Sequence, residues 1–303
     1  MKKIAIVTQS YKNDYEECKL LCDSIDRFAP EIDHFIFVND EDFKLFQSMN
    51  YGRHMVHKKG EILPWYLIRF PWKIMGHHFY ISPFTIPVRE WIVQQICKLG
   101  VFEVLGNEYV ATFNIDSETV FMKPFVINKW INEKGDYFLF RNINDEEPSK
   151  DDYYAAAKNL FNISESDFED ISKWNYMNTP VCFEKENLKE MLAVIGRRAK
   201  FGGWKRVLCN VYRFSEYYTY GLYSDYFLRL RNHYLTDIHT FPQIDMSWCK
   251  DENEFKELMM NLLVDDNCMG LWLQKGARYC NSENYLDINI IRKVIINYWD
   301  GNI

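Results

Sequence analysis

Two carboxylates stand one residue apart at the end of an apolar run, in the segment Tyr109 to Phe125, YVATFNIDSETVFMKPF. Val110 to Ile115 reads as a buried strand, and Asp116, Ser117 and Glu118 follow it directly. Charged side chains are seldom buried without a partner, and open α/β sheets gather ligands just beyond the carboxyl ends of their strands. In an extended chain residues i and i+2 share a face, so Asp116 and Glu118 are placed to offer oxygens to one divalent cation. Mg²⁺ and Mn²⁺ take such hard ligands together with a substrate's phosphates. A strand end followed by a solvated turn accounts for the same residues, because acid-x-acid triplets are common.

Other residues carry chemistry of their own. In RFSEYYTYGLYSDYFLRL, Arg213 to Leu230, Ser215 suits a helix cap and Glu216 falls in the first turn. A carboxylate fixed there is also placed to take a proton from a hydroxyl, which is general-base work. VREWIVQQICKL puts Trp91, Ile92, Ile96 and Leu99 on one side of a helix and Arg89, Gln94 and Lys98 on the other. Lys98 on that face either reaches a phosphate or solvates the helix. GRRAKFGGWKR, with basic residues at 197, 198, 200, 205 and 206, either attracts phosphate or anionic membrane or is a solvated loop. His233, Asp237 and His239 follow in a polar stretch, and His77-His78 lacks a further ligand at metal-like spacing.

The elements that position these residues follow from periodicity. Lys3 to Val7 is a short strand broken by a polar turn, Thr8-Gln9-Ser10. Tyr15, Cys18, Leu21, Cys22, Ile25 and Phe28 have helical spacing, Pro30 ends that helix, and Phe35 to Val38 is a second strand closed by Asn39-Asp40-Glu41-Asp42. Strand, helix and strand make a βαβ unit with parallel pairing. The loops after both strands then share one edge, which brings Thr8, Gln9, Ser10 and Asp40 together, with Asp116 beside them if its strand is parallel. Gly60 to Pro87 is a long aperiodic stretch carrying Trp65, Tyr66, Phe70, Trp72, Phe79, Tyr80 and Phe84, either a stacking surface for sugar or base or a satellite core. Asp136 to Arg141 is a strand, Asn142 to Asp152 a polar connector, and Thr179 to Phe183 a short strand backed by a helix through Ile195. Asp251 caps a helix through Val264, Leu271 to Gln274 is a late strand, and Ile288 to Trp299 is a final helix. With no repeat and no Gly/Ser linker, the chain reads as one domain with two lobes, about 1–140 and about 141–303.

Composition sets the bounds. The 303 residues suffice for one large α/β domain, and 48% hydrophobic with 17% aromatic residues excludes bulk disorder. The 20 Tyr, 22 Phe and 9 Trp exceed core needs, so some aromatic surface is expected to meet a ligand. A net charge of -7 argues against nucleic acid as a partner. Eight cysteines without a C-x-x-C pair point to a reducing compartment and no zinc site. No secretory h-region and no bilayer-spanning run are present, so a soluble cytoplasmic protein is expected, with peripheral contact at the inner face of the membrane kept as an alternative.

In sequence order IAIVTQSY, REWIVQQICKL, FNIDSETVF and FSEYYTYG resemble the GT-A-type nucleotide-sugar-dependent glycosyltransferases. Within them they are similar to a bacterial group of uncharacterised glycosyltransferase-like domains found near polysaccharide loci. Relatives often read Asp-x-Asp where this chain has Asp116-Ser117-Glu118, which keeps two carboxylates. The resemblance implies a GT-A (Rossmann-like) α/β fold, with a mixed, mainly parallel central sheet flanked by helices. It implies Mn²⁺ or Mg²⁺, a nucleoside-diphosphate sugar donor with a UDP-sugar first in line, and a saccharide or lipid-linked saccharide acceptor in surface polysaccharide or glycoconjugate synthesis.

Carried over to this chain, the resemblance places Thr8, Gln9 and Asp40 near the nucleoside and Asp116 against ribose and metal. Glu118 would hold the metal, with His239 as a further ligand, and Glu216 would be the base of an inverting enzyme or an orienting group in a retaining one. Lys98, or the basic stretch Arg197 to Arg206, would face the charge of the departing diphosphate, and the aromatic stretch would bind acceptor and exclude water. Two rivals stand beside this reading. A nucleotidyltransferase would want a glycine-rich basic loop where TQSYKND stands, and a catalytically silent binding module of the same fold would suit the aromatic surface.

Overall fold

In the computed structural model β1 (Lys3–Ser10) is the middle strand of five, and its alternating side chains define the two layers of the molecule. Residues 3–74, 76, 78–143, 148–274 and 286–302 are described; His77 and Cys280 lie outside them. After β1 come α1 (Tyr15–Phe28), β2 (Asp33–Val38), α2 (Phe43–Phe46) and β3 (His54–Lys58). A small antiparallel excursion, β4 (Ile68–Arg69), β5 (Phe79–Ile81) and β6 (Val88–Arg89), leads into α3 (Glu90–Gly100), β7 (Tyr109–Asn114) and β8 (Thr119–Phe121). Next are β9 (Tyr137–Phe140), β10 (Asn142–Ile143), α4 (Pro148–Phe161), α5 (Glu165–Ile171), β11 (Trp174–Asn175), β12 (Val181–Glu184), α6 (Lys185–Gly196), α7 (Gly203–Cys209) and α8 (Glu216–Leu222), the last running into one π turn at Tyr223–Phe227. The chain closes with β13 (His233–Thr236), β14 (Gln243–Asp245), α9 (Glu252–Leu263), β15 (Gly270–Gln274) and α10 (Ile288–Trp299).

The central sheet has the order β12-β7-β1-β2-β3. β1, β2, β3 and β7 are parallel, while β12 runs antiparallel to β7. The first three strands grow outward to one side of β1 and β7 is added on the other, so the topology switches between β1 and β7, where α/β sheets open a crevice at the carboxyl ends. Ala5 and Val7 face a core shared with Ile92 and Ile96 of α3, Met191 of α6 and Tyr218 of α8. Ile6, Phe113 and Ile115 face the other core, with Leu21 and Ile25 of α1 and the fully buried Trp130, whose ring sits 4.3 Å from that of Phe113. A third core joins α9, α10, β14 and β15 to Leu20, Val120 and Met122.

Several expectations change. Thr8-Gln9-Ser10 is not a turn: β1 continues through Ser10, paired with Ile36 to Val38, and Thr8 is accommodated because His34 Nε2 meets its hydroxyl at 2.9 Å. The connector at Asn142 to Asp152 holds β10 and the start of α4, with Pro148 at the first helical position, where its missing N–H costs nothing. The aromatic stretch carries a three-stranded sheet, and the polar stretch at 233 is a strand whose first residue, His233, is buried. Much of the aromatic surplus is core, with Trp130, Tyr154, Tyr218, Tyr220 and Phe113 fully enclosed. The cores are not divided near residue 140, since Ala5 to Tyr109 and Leu139 to Tyr223 share one of them. Among the described residues no helix is long and apolar enough to cross a membrane.

Candidate active site at the topological switch

The amide of Ile115 donates to the carbonyl of Val7 at 2.9 Å, so β7 stays beside β1 until Asp116. There the chain turns, with Thr119 N donating to Asp116 O at 3.1 Å. Asp116 and Glu118 are thus the first and third residues of a turn, not alternate residues of an extended strand. The argument that they share a strand face does not apply. Ser117 Oγ donates to Glu118 Oε2 at 3.3 Å, and Leu273 N to Glu118 O at 2.8 Å fastens the turn to β15.

Lys98 reaches this turn from the last turn of α3 and is no solvated residue. Its ammonium lies 3.0 Å from Asp116 Oδ1, 2.9 Å from Glu216 Oε1 and 3.2 Å from the Tyr217 hydroxyl, so all three of its protons have partners. Tyr217 OH in turn points at Asp116 Oδ2, 3.4 Å away. With its amide nitrogen turned inward, Gln95 donates to both oxygens of Glu216. The side chains of Lys98 and Glu216 are 5% and 1% exposed, whereas that of Asp116 is 18% exposed. Local structure favours the placement, because a cation suits the carboxyl end of α3 and an anion the amino end of α8.

Electrostatics follow from this packing. Burial alone would depress Lys98, but Asp116 and Glu216 outweigh it and hold the ammonium well above its ordinary value. Burial raises Glu216, and Lys98 opposes that rise. Burial, then the charge of Asp116, pushes the Tyr217 hydroxyl well up. One charged lysine faces two carboxyl groups, with a third, Glu118, on the same turn.

Unpaired polar atoms surround the cluster. Alternation puts Gln9 on the face of β1 that carries Ala5 and Val7, toward α3, yet neither polar atom of its buried amide has a partner among the described residues. Asn114, paired in register with Val7, spends its amide nitrogen on Thr112 Oγ1 at 3.2 Å and leaves Oδ1 without one. Native interiors rarely leave such atoms unsatisfied unless a ligand or water takes them. Ser10 Oγ is similarly unpaired on the opposite face.

The remaining expected residues are dispersed. Thr8 faces the α1 layer and His34, so its hydroxyl does not join the group. Asp40 is exposed after β2, accepting from Gly60 N at 2.9 Å. His239 is held by Asn178 Oδ1 at 3.0 Å, just before β12, whose first residue pairs with Asn114. Asp116, Glu118 and His239 do not bring their ligand atoms within 4.8 Å of one another. Ser215 occupies the cap position of α8, but its hydroxyl makes no cap bond. In the basic stretch Lys205 is used by Glu103 and Ile62 O, Arg206 by Phe84 O and Arg198 by Leu160 O, and Lys205 and Arg206 stand in α7, half-buried, instead of in a solvated loop. Gln95, Tyr217 and Asn114 were missed by sequence reasoning; Gln95 stands three residues before Lys98 on one helix face, the spacing that marks a shared partner.

A hard divalent cation fits what the turn offers. The donors are oxygens, from the half-buried Asp116 and Glu118, and the carboxyl groups outnumber the one ammonium. An apolar cavity of about 390 Å³ between Leu99, Phe102, Leu188, Leu192 and Trp204 is lined by none of these residues and belongs to the α3–α6–α7 packing.

Strand order defines a Rossmann-like α/β protein, with an ion cluster at the crevice mouth. The chain belongs to a family described as "Family of unknown function (DUF6492)", whose model matches residues 3–261. No curated protein matches. Among solved structures it is similar to the 4-diphosphocytidyl-2C-methyl-D-erythritol synthase of Anaerococcus prevotii DSM 20548, at 11% identity over 78% of this chain and 88% of that one, with a TM-score of 0.39. It is also similar to the galactosyltransferase LgtC in complex with donor and acceptor sugar analogs, at 10% identity over 99% and 100% with a TM-score of 0.44. The bifunctional glycosyltransferase WbbM is 10% identical over 98% of this chain and 50% of that one, with a TM-score of 0.45. These likenesses are weak, and the architecture rests on its own strand order.

Proposed function

We propose that the chain is a metal-dependent glycosyltransferase. It moves a sugar from a nucleoside-diphosphate sugar, a UDP-sugar in the first instance, to a hydroxyl of a saccharide or lipid-linked saccharide in bacterial surface polysaccharide or glycoconjugate synthesis. The reaction breaks the bond between the anomeric carbon and the β-phosphate oxygen. The diphosphate leaves with the electron pair, while the acceptor oxygen bonds to carbon and gives up its proton to the departing diphosphate oxygen. The observation that carries the reading is the buried Lys98, fixed by two carboxyl groups at the switch point beside the unpaired Gln9 and Asn114.

Lys98, its three ammonium protons committed to Asp116, Glu216 and Tyr217, holds Asp116 in place at the crevice, pre-aimed so that no reorganisation is needed. A divalent ion held by Asp116 and Glu118 would supply charge stabilisation for the leaving diphosphate there. Gln9 and Asn114 take the nucleotide's hydrogen-bonding groups, and Asp40 marks the rim after β2. Glu216 is enclosed, with both oxygens engaged, which favours a positioning role for it, orienting Lys98, over contact with the acceptor hydroxyl. Trp65 and Trp72, 87% and 69% exposed on the β4–β6 excursion, offer faces on which an acceptor sugar stacks. A cytoplasmic site at the inner face of the membrane suits a lipid-linked acceptor.

The test is incubation with Mn²⁺, a panel of nucleotide sugars and simple saccharide acceptors. Release of nucleoside diphosphate is expected. Pyrophosphate release instead would assign nucleotidyl transfer, and nucleotide binding with neither product would assign a binding module.

A further inference from the structure

Away from the crevice, on the α1 side of the sheet, three side chains from three elements converge. Cys22 of α1, His34 of β2 and His54 of β3 bring one ligand atom each within 4.8 Å of one another, the one such group among the described residues, and all three are buried. The two Nδ1 atoms face each other at 2.9 Å, with the rings at 80° and their centroids 5.1 Å apart. We propose that these residues form a buried zinc site that ties α1 to β2 and β3.

The outward nitrogens carry the argument. Metal-bound imidazoles nearly always donate their second N–H to a carboxylate or another acceptor, which fixes tautomer and ring direction. His54 Nε2 lies 3.1 Å from Asp26 Oδ1, and Asp26 is itself held by the Tyr51 hydroxyl at 3.1 Å. A carboxylate only accepts, so His54 keeps its proton on Nε2 and turns the Nδ1 lone pair inward. His54 Nδ1 therefore accepts from His34 Nδ1–H at 2.9 Å when no metal is bound, and His34 can move that proton to Nε2 when a metal takes its place, because Nε2 lies 2.9 Å from Thr8 Oγ1, a hydroxyl able to accept as well as donate. Two inward lone pairs and a thiol then share one centre, a sulfur-and-imidazole set of the kind zinc takes.

The surroundings suit a structural site. Ile36, Val38, Phe46, Met49 and Val56 enclose the group in apolar packing. Cys18, one turn earlier on α1, is buried in the same cluster. On binding, the Cys22 thiol loses its proton to solvent and its sulfur bonds to the cation. The thiolate offsets part of the charge of a divalent ion, and the solvent-facing Asp26 carboxylate behind His54 offsets more of it from the rim. No C-x-x-C pair signals such a site, because its ligands lie on three separate elements and meet only when the sheet forms.

The test measures metal in the full chain produced with zinc present, then in chain produced with Co²⁺ in its place. About one zinc per chain is expected after dialysis against a weak chelator. The cobalt form should show a near-ultraviolet thiolate-to-cobalt charge-transfer band that is lost in Cys22→Ser and kept in Cys249→Ser, a buried cysteine of the C-terminal core. Wild-type chain without bound metal, metal without the band, or a band that survives Cys22→Ser would each overturn the proposal. If Cys22→Ser fails to fold, the wild-type band and its loss in His54→Gln decide the matter. Manganese-dependent nucleotide binding at the crevice reads out separately, so failure here leaves the glycosyltransferase reading intact.

Discussion

Lys98 commits all three ammonium protons to Asp116, Glu216 and Tyr217, so its removal leaves two carboxyl groups facing each other out of water. Breaking a buried pair from one side costs about 3–5 kcal/mol. Lys98→Met is expected to lower the unfolding free energy read from urea titration by that amount, and Glu216→Gln in the same chain to restore part of it; strictly additive losses would mean that the two do not act as a pair. Asp116→Asn and Glu118→Gln should keep the fold while weakening Mn²⁺-dependent nucleotide binding by roughly tenfold or more, read by calorimetry with and without the ion. His233 gives the pH test. Its Nδ1 donates to Tyr137 O and its Nε2 accepts from Tyr220, and burial pushes it down to about 4. The unfolded chain therefore binds the proton first, so stability is fully present above the ordinary value near 6.5 and is lost as pH falls toward 4, by about 3 kcal/mol. His233→Gln should flatten the melting temperature over that interval. The types and spacing of Asp116, Glu216 and Lys98 were legible in the chain, but their meeting was not. Trp91, Ile92, Ile96 and Leu99 mark one stripe of α3, whereas β7 and α8 also cover the side that periodicity left to solvent.

Elements with strong local signals fall where the sequence places them. Asp251 accepts from Asn253 N and Glu254 N and starts α9, and α10 spans Ile288–Trp299 as its periodicity requires. Elements fixed by tertiary partners were illegible: Thr8 to Ser10 carry turn-forming side chains and are extended only because β2 lies alongside. The short strands β4 to β6 exist by mutual pairing within a stretch that has no period. Gly270 shows how tight such pairing is, since a Cβ there would overlap the Val120 carbonyl oxygen and the Phe241 ring. Gly270→Ala is expected to cost about 1–3 kcal/mol by urea unfolding, with no change in nucleotide affinity. On the excursion, Trp72→Ala should raise the acceptor KM and leave the donor KM unchanged; equal effects on both would remove the excursion from acceptor binding.

For the whole molecule, the α/β class and parallel pairing were readable from the first strand, helix and strand. The single domain was read from the absence of linkers, and one core holds residues from Ala5 to Tyr223. Leu20, Val120 and Met122 from the first half pack with α9, α10, β14 and β15. Cores that interleave in this way favour a single cooperative loss of structure. Tryptophan fluorescence and far-ultraviolet dichroism are expected to report coincident denaturant transitions, and separated midpoints would show that the C-terminal core opens independently.

The reversed direction of β12 has an architectural corollary. Its starting end, not its finishing end, lies at the crevice mouth, so Asn178 and Thr179 arrive there from the segment that follows β9, far along the chain from Gln9 and Asp116. One rim is built early and its opposite wall late, by stretches far apart in the chain that meet in one sheet.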